Sequence, residues 1–204
     1  MTAAIAAAAF LIGFGKGGVA GGAGPFVTVL VALTLPADVA LALILPMLLV
    51  GDAFAIAGYW RAWDGAVLRR LLPAAIVGIV VGAVTISLIS EPTLRRLMAV
   101  VMLVYATYVI VGHRAVVPPR WQQPFSLAAG FTSGWSSTVA HIGGAPIVMY
   151  LFSIDITPRV FIATQALFFA ALNVVKIPAY GFAGAFDWHL VATTAWTWML
   201  IPLG

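Results

Sequence analysis

The apolar residues of this 204-residue chain fall into long runs that are separated by short polar or proline-containing stretches. A helical run of about 20 apolar residues matches the thickness of the hydrocarbon core of a bilayer. Runs of this kind, each predicted to cross the membrane, lie at residues 37–58, 71–90, 94–112, 160–180 and 188–204. The pattern therefore predicts an all-α polytopic membrane protein that is embedded in a lipid bilayer.

Two further apolar segments, residues 2–35 and 125–153, are interrupted by glycine-rich stretches that end in proline. The first stretch reads G-F-G-K-G-G-V-A-G-G-A-G-P and the second reads G-W-S-S-T-V-A-H-I-G-G-A-P. A run of about a dozen residues lies on each side of each break, and as a helix it reaches only about 18 Å, too little to cross. Unwound backbone inside a membrane lines a cavity, so the two broken helices predict a substrate site near the midplane.

Positions in the first half of the chain match positions in the second half at one constant offset. The pairs, all 121 residues apart, are Pro25 with Pro146, Asp52 with Asn173, and Tyr59 with Tyr180. This spacing predicts an internal duplication, with a first repeat at 1–112, a linker at 113–124 and a second repeat at 125–204. The second repeat has no counterpart of residues 94–112, so we expect it to be incomplete at its C-terminus.

The distribution of arginines bears on whether the broken segments cross the membrane. If both cross, the arginines divide 5 to 3 between the two sides; if both are re-entrant hairpins, Arg159 changes side and the division becomes 6 to 2. Positively charged loops concentrate on the cytoplasmic side, which favours the hairpins and an external N-terminus. Each repeat is then a re-entrant hairpin plus an odd number of crossings, so the repeats are predicted to be inverted.

Composition excludes several classes of function. Hydrophobic residues form 63% of the chain and charged residues 8%, which excludes an ordinary soluble domain. The net charge of +4 comes with arginines placed between apolar segments, which fits membrane topology and not nucleic-acid binding. There is no cysteine, the acids are scattered, and no strand precedes the G-x-G-x-x-G of Gly13, Gly15 and Gly18. We therefore expect no enzyme, no metal and no cofactor.

The residues around the two breaks suit a small oxyanion. The helices that begin near Pro25 and Pro146 would direct unpaired N–H groups at the site, where helix dipoles favour negative charge. The first break adds a lysine, the second adds hydroxyls and an imidazole, and the glycines allow close approach; tight helix packing alone is the alternative explanation for the glycines. The predicted substrate-binding residues are Lys16, Gly17, Gly18, Gly22, Gly24, Ser136, Ser137, Thr138, His141, Gly143 and Gly144.

Four more polar residues lie within predicted spanning helices, where such groups are costly and usually face a cavity or a partner. They are Asp52, Gln165, Asn173 and Lys176. Asp52 either carries a coupling proton or pairs with Lys16 or Lys176 when the site is empty, and a fixed structural ion pair is the alternative. Gln165 either lines the cavity or makes a hydrogen bond between helices.

Several motifs together resemble the sulfite exporter TauE/SafE family over essentially the whole chain. They are the opening glycine motif, the L-P-A-D that follows it, A-G-Y-W-R-A-W-D, A-G-F-T-S-G-W, G-G-A-P-I-V-M-Y-L, the N-x-x-K at Asn173 and the D-W at Asp187. The resemblance implies an exporter or permease for sulfite, sulfonates or related small organic anions that is built from two related halves. We expect it to export such an anion across the inner membrane by alternating access. Family members continue through further hydrophobic segments, which implies that this chain is truncated.

Alternatives to export remain at this point. A passive anion channel, an uptake permease for a small organic anion, and a non-transporting binding or assembly protein all fit the same sequence. The G-x-x-x-G of Gly78 and Gly82 predicts a close packing face, either within the bundle or in a homodimer.

Overall fold

The computed structural model describes residues 2–17, 23–111 and 117–204 and builds most of them into helices. Two of the predicted binding glycines, Gly18 and Gly22, lie outside the described residues. The α-helices are α1 Thr2–Gly17, α2 Ala23–Ala32, α3 Ala37–Gly58, α4 Gly65–Leu88, α5 Glu91–Val111, α6 Gln122–Ala140, α7 Gly144–Phe152, α8 Pro158–Phe182 and α9 Trp188–Thr194. Two 3₁₀ segments, Pro119–Trp121 and Ala195–Leu203, complete the described structure.

Three of the described helices, α3, α4 and α8, are long and apolar enough to cross a membrane. Helix α3 occupies the range that the hydropathy pattern gives. Helix α4 begins at Gly65 and not at residue 71, because the Asp64 carboxylate accepts hydrogen bonds from the backbone N–H groups of Ala66 and Val67, at 2.8 and 3.1 Å. Helix α8 likewise begins at Pro158, where the Thr157 hydroxyl caps it. Side-chain caps therefore set helix starts that hydropathy alone does not.

The second break is shorter than the sequence suggests. Helix α6 has 19 residues and runs through Gly134 to Ala140, so the expected dozen-residue run before the break is wrong. The hydroxyls of Thr132, Ser136 and Thr138 each donate to a backbone carbonyl four residues earlier. These polar side chains are thus satisfied inside the helix and do not end it.

Helix α6 ends where His141 adopts a left-handed conformation, with φ of 54°. The His141 N–H donates to the Ser137 carbonyl at 3.1 Å, and the Ile142 N–H donates to the Ser136 carbonyl at 3.2 Å. The bond from His141 to Ser137 is that of the αL cap, which normally has glycine in the left-handed position. A side chain at such a position is strained, and strain of this kind is concentrated at functional sites.

The predicted crossing at residues 188–204 is not one continuous α-helix. Helix α9 has seven residues, and a nine-residue 3₁₀ segment follows it. The hydroxyls of Thr193, Thr194 and Thr197 donate to backbone carbonyls three or four residues earlier, and Pro202 has no N–H to give. Both features favour the tighter winding over a regular α-helix.

Glycines allow α4 and α6 to pack backbone against backbone. A Cβ atom on Gly134 would lie 2.0 Å from the Ala75 carbonyl oxygen, and one on Gly78 would lie 2.2 Å from the Phe131 carbonyl oxygen. Gly130 is equally confined, against the Leu71 carbonyl oxygen at 2.5 Å. The G-x-x-x-G face of α4 is therefore used within the bundle.

Helix α1 makes the same type of contact with the 3₁₀ segment Ala195–Leu203 and the residue after it. A Cβ atom on Gly13 would lie 1.9 Å from the Ile201 carbonyl oxygen. This contact parallels the one that a Cβ atom on Gly134 would make with the Ala75 carbonyl oxygen of α4. A Cβ atom on Gly204 would lie next to the Phe10 carbonyl oxygen and the Phe14 backbone nitrogen. In the same way, one on Gly78 would lie next to the Phe131 carbonyl oxygen and the Trp135 backbone nitrogen. Gly134, Phe131 and Trp135 are the positions 121 residues after Gly13, Phe10 and Phe14.

An arginine connects α5 to the end of the first broken segment. The guanidinium of Arg95 donates to the backbone carbonyls of Ala32 and Leu35, where α2 ends, and pairs with Glu91 one turn earlier at 2.6 Å. A cation next to the last carbonyls of a helix satisfies them and complements the helix dipole. Arg95 thus holds the end of the short helix α2 to a neighbouring long one.

The buried apolar side chains form two clusters. One is built mainly from α1, α2 and α3, and the other mainly from α4, α6, α7 and α8. The opposite face of α4 carries exposed apolar side chains, among them Val77, Val80, Val84 and Leu88. Such a face fits contact with lipid tails, in keeping with a multi-pass membrane protein.

Candidate functional site

The starts of the two short helices lie against the end of α6. A Cβ atom on Gly24, in the first turn of α2, would lie 2.9 Å from the His141 carbonyl oxygen. A Cβ atom on Gly143, directly before α7, would lie 2.8 Å from both the Ser133 carbonyl oxygen and the Ser137 Cβ. The first broken segment therefore touches the second break, and only glycine fits at both contacts.

A buried carboxylate connects three helices. Asp52 of α3 is 1% exposed; its Oδ1 accepts from the Lys16 ammonium of α1, and its Oδ2 accepts from Nδ2 of Asn173 on α8 at 2.6 Å. The Lys16 ammonium also lies 5.5 Å from the centre of the Phe169 ring, a cation–π distance. Both carboxylate oxygens of Asp52 are thus engaged, and Lys16 has its counter-ion.

The hydrogen bond between Asp52 and Asn173 joins two positions that the sequence repeat pairs. They are 121 residues apart, the constant offset of the duplication. The Asp52 carboxylate therefore binds directly the amide at the position that the predicted duplication pairs with it.

A second lysine lies one turn further along α8 in a different environment. Lys176 is fully buried, and its Nζ donates to the Ser137 hydroxyl at 3.1 Å, the Ser137 carbonyl at 3.3 Å and Nδ1 of His141 at 3.1 Å. All three acceptors are neutral groups. Among the residues that the structure describes, no carboxylate pairs with this ammonium.

The imidazole of His141 is held in one orientation. Its Nε2 lies 3.1 Å from the Leu41 carbonyl oxygen of α3. A carbonyl only accepts, so we assign the proton to Nε2, which leaves Nδ1 free to accept from Lys176. The Tyr180 hydroxyl donates to the Thr138 carbonyl at 2.6 Å and its ring packs against the imidazole edge. His141 is therefore neutral in this arrangement.

The formal charges of this cluster do not balance. Lys16 and Lys176 contribute two positive charges, and Asp52 contributes one negative charge. The pair of Lys16 and Asp52 is neutral as a unit, so the uncompensated charge belongs to Lys176. Burying an ammonium without a counter-ion is costly, so a lysine in such a place either loses its proton or faces a ligand that supplies the missing charge.

The remaining predicted residues fall into three groups. Ser136 and Thr138 lie beside the cluster, but their hydroxyls donate to backbone carbonyls. Gly144 begins α7 and Gly17 ends α1, next to the two breaks. Gln165 is buried on α8, and its amide nitrogen has no hydrogen-bond partner in the described chain.

Sequence reasoning missed three contributors to the site. They are the Leu41 carbonyl, the Phe169 ring and the Tyr180 hydroxyl. Tyr180 carried a signal, because it matches Tyr59 in the repeat, but nothing in that match indicated contact with the second break. The other two carry no sequence signal, since any residue offers a carbonyl and phenylalanine is common in membrane helices.

Comparison with known proteins identifies a family. A family model described as "Sulfite exporter TauE/SafE" matches residues 5–204, which includes the whole polar cluster. No curated protein and no solved structure matched the chain significantly.

Proposed function

The chain belongs to the sulfite exporter TauE/SafE family of membrane transporters for sulfite-like anions, and from this premise we propose that it exports small sulfur oxyanions or organosulfonates by alternating access. We place it in the bacterial inner membrane as a multi-pass protein. The anion would bind between the two broken segments, next to Lys176.

The observation that carries this proposal is the buried ammonium of Lys176 with neutral partners only. Ser137 and His141 orient the ammonium without neutralising it. An oxyanion can take the place of one of these acceptors and supply the missing negative charge in a charge-assisted hydrogen bond. A neutral solute would leave the charge unbalanced, and a cation would be repelled.

The starts of the two short helices support the same position for the anion. Helix α2 begins against His141 and helix α7 begins against Ser137, the two residues that hold the Lys176 ammonium. The first N–H groups of a helix have no partner within it, and the helix dipole places positive charge at the same end. Two such ends and one cation form a site for a small oxyanion without any metal or cofactor.

Alternating access by two inverted repeats is the mechanism that we propose. Two sets of contacts support it: α1 packs on the segment Ala195–Leu203 as α6 packs on α4, and Asp52 contacts its repeat partner Asn173. Contacts exchanged between matching segments are typical of a pseudo-two-fold axis, and matching residues touch each other only near such an axis. The ion pair of Lys16 and Asp52 would lie at that axis and break or re-form as the repeats move.

Burial favours a transporter over a passive channel. Lys176 and Asp52 are enclosed on all sides, so the site is closed in this conformation. For export, a membrane potential that is negative inside assists an anion by about 2.3 kcal/mol per charge per 100 mV. Export therefore needs no coupling ion, whereas uptake of the same anion by the same site would run against this potential.

The proposal predicts selective stabilisation by sulfur oxyanions. We would measure thermal unfolding of the purified protein in detergent, at constant ionic strength, with sulfite, sulfate, sulfoacetate, taurine, lactate or chloride. A ligand at 100 times its dissociation constant should stabilise the fold by about 2.7 kcal/mol. We expect a shift with sulfite or a sulfonate that chloride and lactate do not reproduce. Equal shifts with all of the anions, or none with any, would contradict the proposed function.

A further inference from the structure

We propose that the site selects anions with a single negative charge, and that Asp52 sets this limit. The inference rests on the proposed anion site and specifies its substrate class: hydrogen sulfite and monosulfonates, in preference to sulfate or the sulfite dianion.

Three charged side chains determine the charge of the cluster. Asp52 binds both the Lys16 ammonium and the Asn173 amide. Lys176 lies one turn after Asn173 on α8. The formal charges of Lys16, Asp52 and Lys176 leave one positive charge in excess. Within residues 2–17, 23–111 and 117–204, the other titratable group that is hydrogen-bonded to the Lys176 ammonium is His141, and its two hydrogen bonds require the neutral ring.

Net charge is costly in a buried site. A monovalent anion brings the cluster to neutrality when it binds. A dianion would leave a net negative charge in the same low-dielectric surroundings, and it loses far more hydration on entering them. The excess charge of the cluster therefore acts as a valence filter, independent of the shape of the anion.

Asp52 is the residue that determines the excess charge. Its carboxylate is the single negative group of the cluster, and one of its oxygens faces an amide that an asparagine carbonyl would satisfy equally well. The change Asp52→Asn keeps the size and this hydrogen bond but raises the excess charge from one to two. A dianion would then be the neutralising ligand.

The test compares methanesulfonate and sulfate, two tetrahedral sulfur oxyanions of different charge. We would measure their dissociation constants by calorimetry at constant ionic strength for the wild type and for Asp52→Asn. We expect the wild type to prefer methanesulfonate by about tenfold or more, and Asp52→Asn to shift the ratio toward sulfate by about tenfold or more. Asp38→Asn, the same change in the first turn of the same helix, is the matched control and should leave the ratio unchanged.

A charge-balanced variant guards against loss of folding. In Lys16→Met with Asp52→Asn the ion pair is removed as a unit, which buried pairs often tolerate, and the excess charge returns to one. Its preference should return to the monovalent anion. A wild type without preference, or an unchanged ratio in Asp52→Asn, would overturn the valence filter while leaving the anion site standing. Failure of the wild type to bind either anion would overturn both.

Discussion

Lys176→Met should strongly weaken anion binding and also raise the melting temperature of the ligand-free protein. The ammonium is fully buried with three neutral acceptors, so its removal takes away an uncompensated charge. Burial of one ion costs several kcal/mol, whereas leaving the His141 ring nitrogen and the Ser137 hydroxyl without a donor costs about 1–3 kcal/mol each. We expect a small net increase in the free energy of unfolding, and each kcal/mol raises the melting temperature by about 2–4 °C for a chain of this size.

The loss of binding in Lys176→Met should be large. A charge-assisted hydrogen bond is worth about 1.5–3 kcal/mol, so affinity for sulfite should fall by about tenfold to a hundredfold or more. Lys16→Met is the matched control, because it removes a lysine of the same cluster that has a counter-ion. It leaves the Asp52 carboxylate buried and unpaired, so it should lower the melting temperature. Wild-type affinity in Lys176→Met, or an equal loss of stability in both variants, would contradict the assignment of Lys176.

Gly134→Ala should prevent the chain from folding normally. The added Cβ would lie 2.0 Å from the Ala75 carbonyl oxygen and 2.8 Å from its carbon, and backbone cannot move aside as a flexible side chain can. Helices α4 and α6 would have to separate, at a cost of about 3 kcal/mol or more. Thermal unfolding and size-exclusion chromatography of the purified variant would measure the effect. Gly13→Ala, with its Cβ 1.9 Å from the Ile201 carbonyl oxygen, should behave in the same way.

Gly181→Ala provides the control for this prediction. Gly181 lies in α8, and nothing is within 4 Å of the position of its missing Cβ. Alanine is favoured over glycine in a helix by about 1 kcal/mol, so this variant should equal or exceed the wild type in stability. If Gly134→Ala unfolded at the same temperature as Gly181→Ala, the close packing of α4 on α6 would be wrong.

Much of the helical layout follows from local sequence. Helix α3 is a single apolar run between Pro36 and the aromatic residues after Gly58, so hydropathy alone delimits it. The starts of α4 and α8 depend on the capping residues Asp64 and Thr157. Both residue types are sequence signals for a helix start. Composition therefore predicts the class of protein, and the pattern of apolar runs predicts where most of the long helices lie.

The end of α6 and the final segment could not be predicted in the same way. A run of serine and threonine after glycine favours a break, yet here each hydroxyl finds a carbonyl inside the helix and the glycines fit against α4. His141 takes the left-handed position that glycine usually occupies. In both cases tertiary packing decides between local alternatives of similar energy.

The site was predicted as a set of residues but not as a set of contacts. Helical spacing places Asn173 and Lys176 one turn apart, and the repeat pairs Asp52 with Asn173. Which lysine Asp52 would bind depends on how α1, α3 and α8 rotate about their axes, and the sequence carries no information on that rotation. The distinction matters, because it makes Lys176 and not Lys16 the cation without a counter-ion.

Counterflow in proteoliposomes tests most directly whether Lys176 binds a transported anion. Vesicles loaded with unlabelled sulfite would be diluted into trace radiolabelled sulfite, with the wild type or Lys176→Met in the membrane. An alternating-access transporter accumulates label transiently above equilibrium, and we expect this for the wild type and not for Lys176→Met. Equilibration without such accumulation would indicate a channel, and accumulation that is unaffected by Lys176→Met would contradict the site.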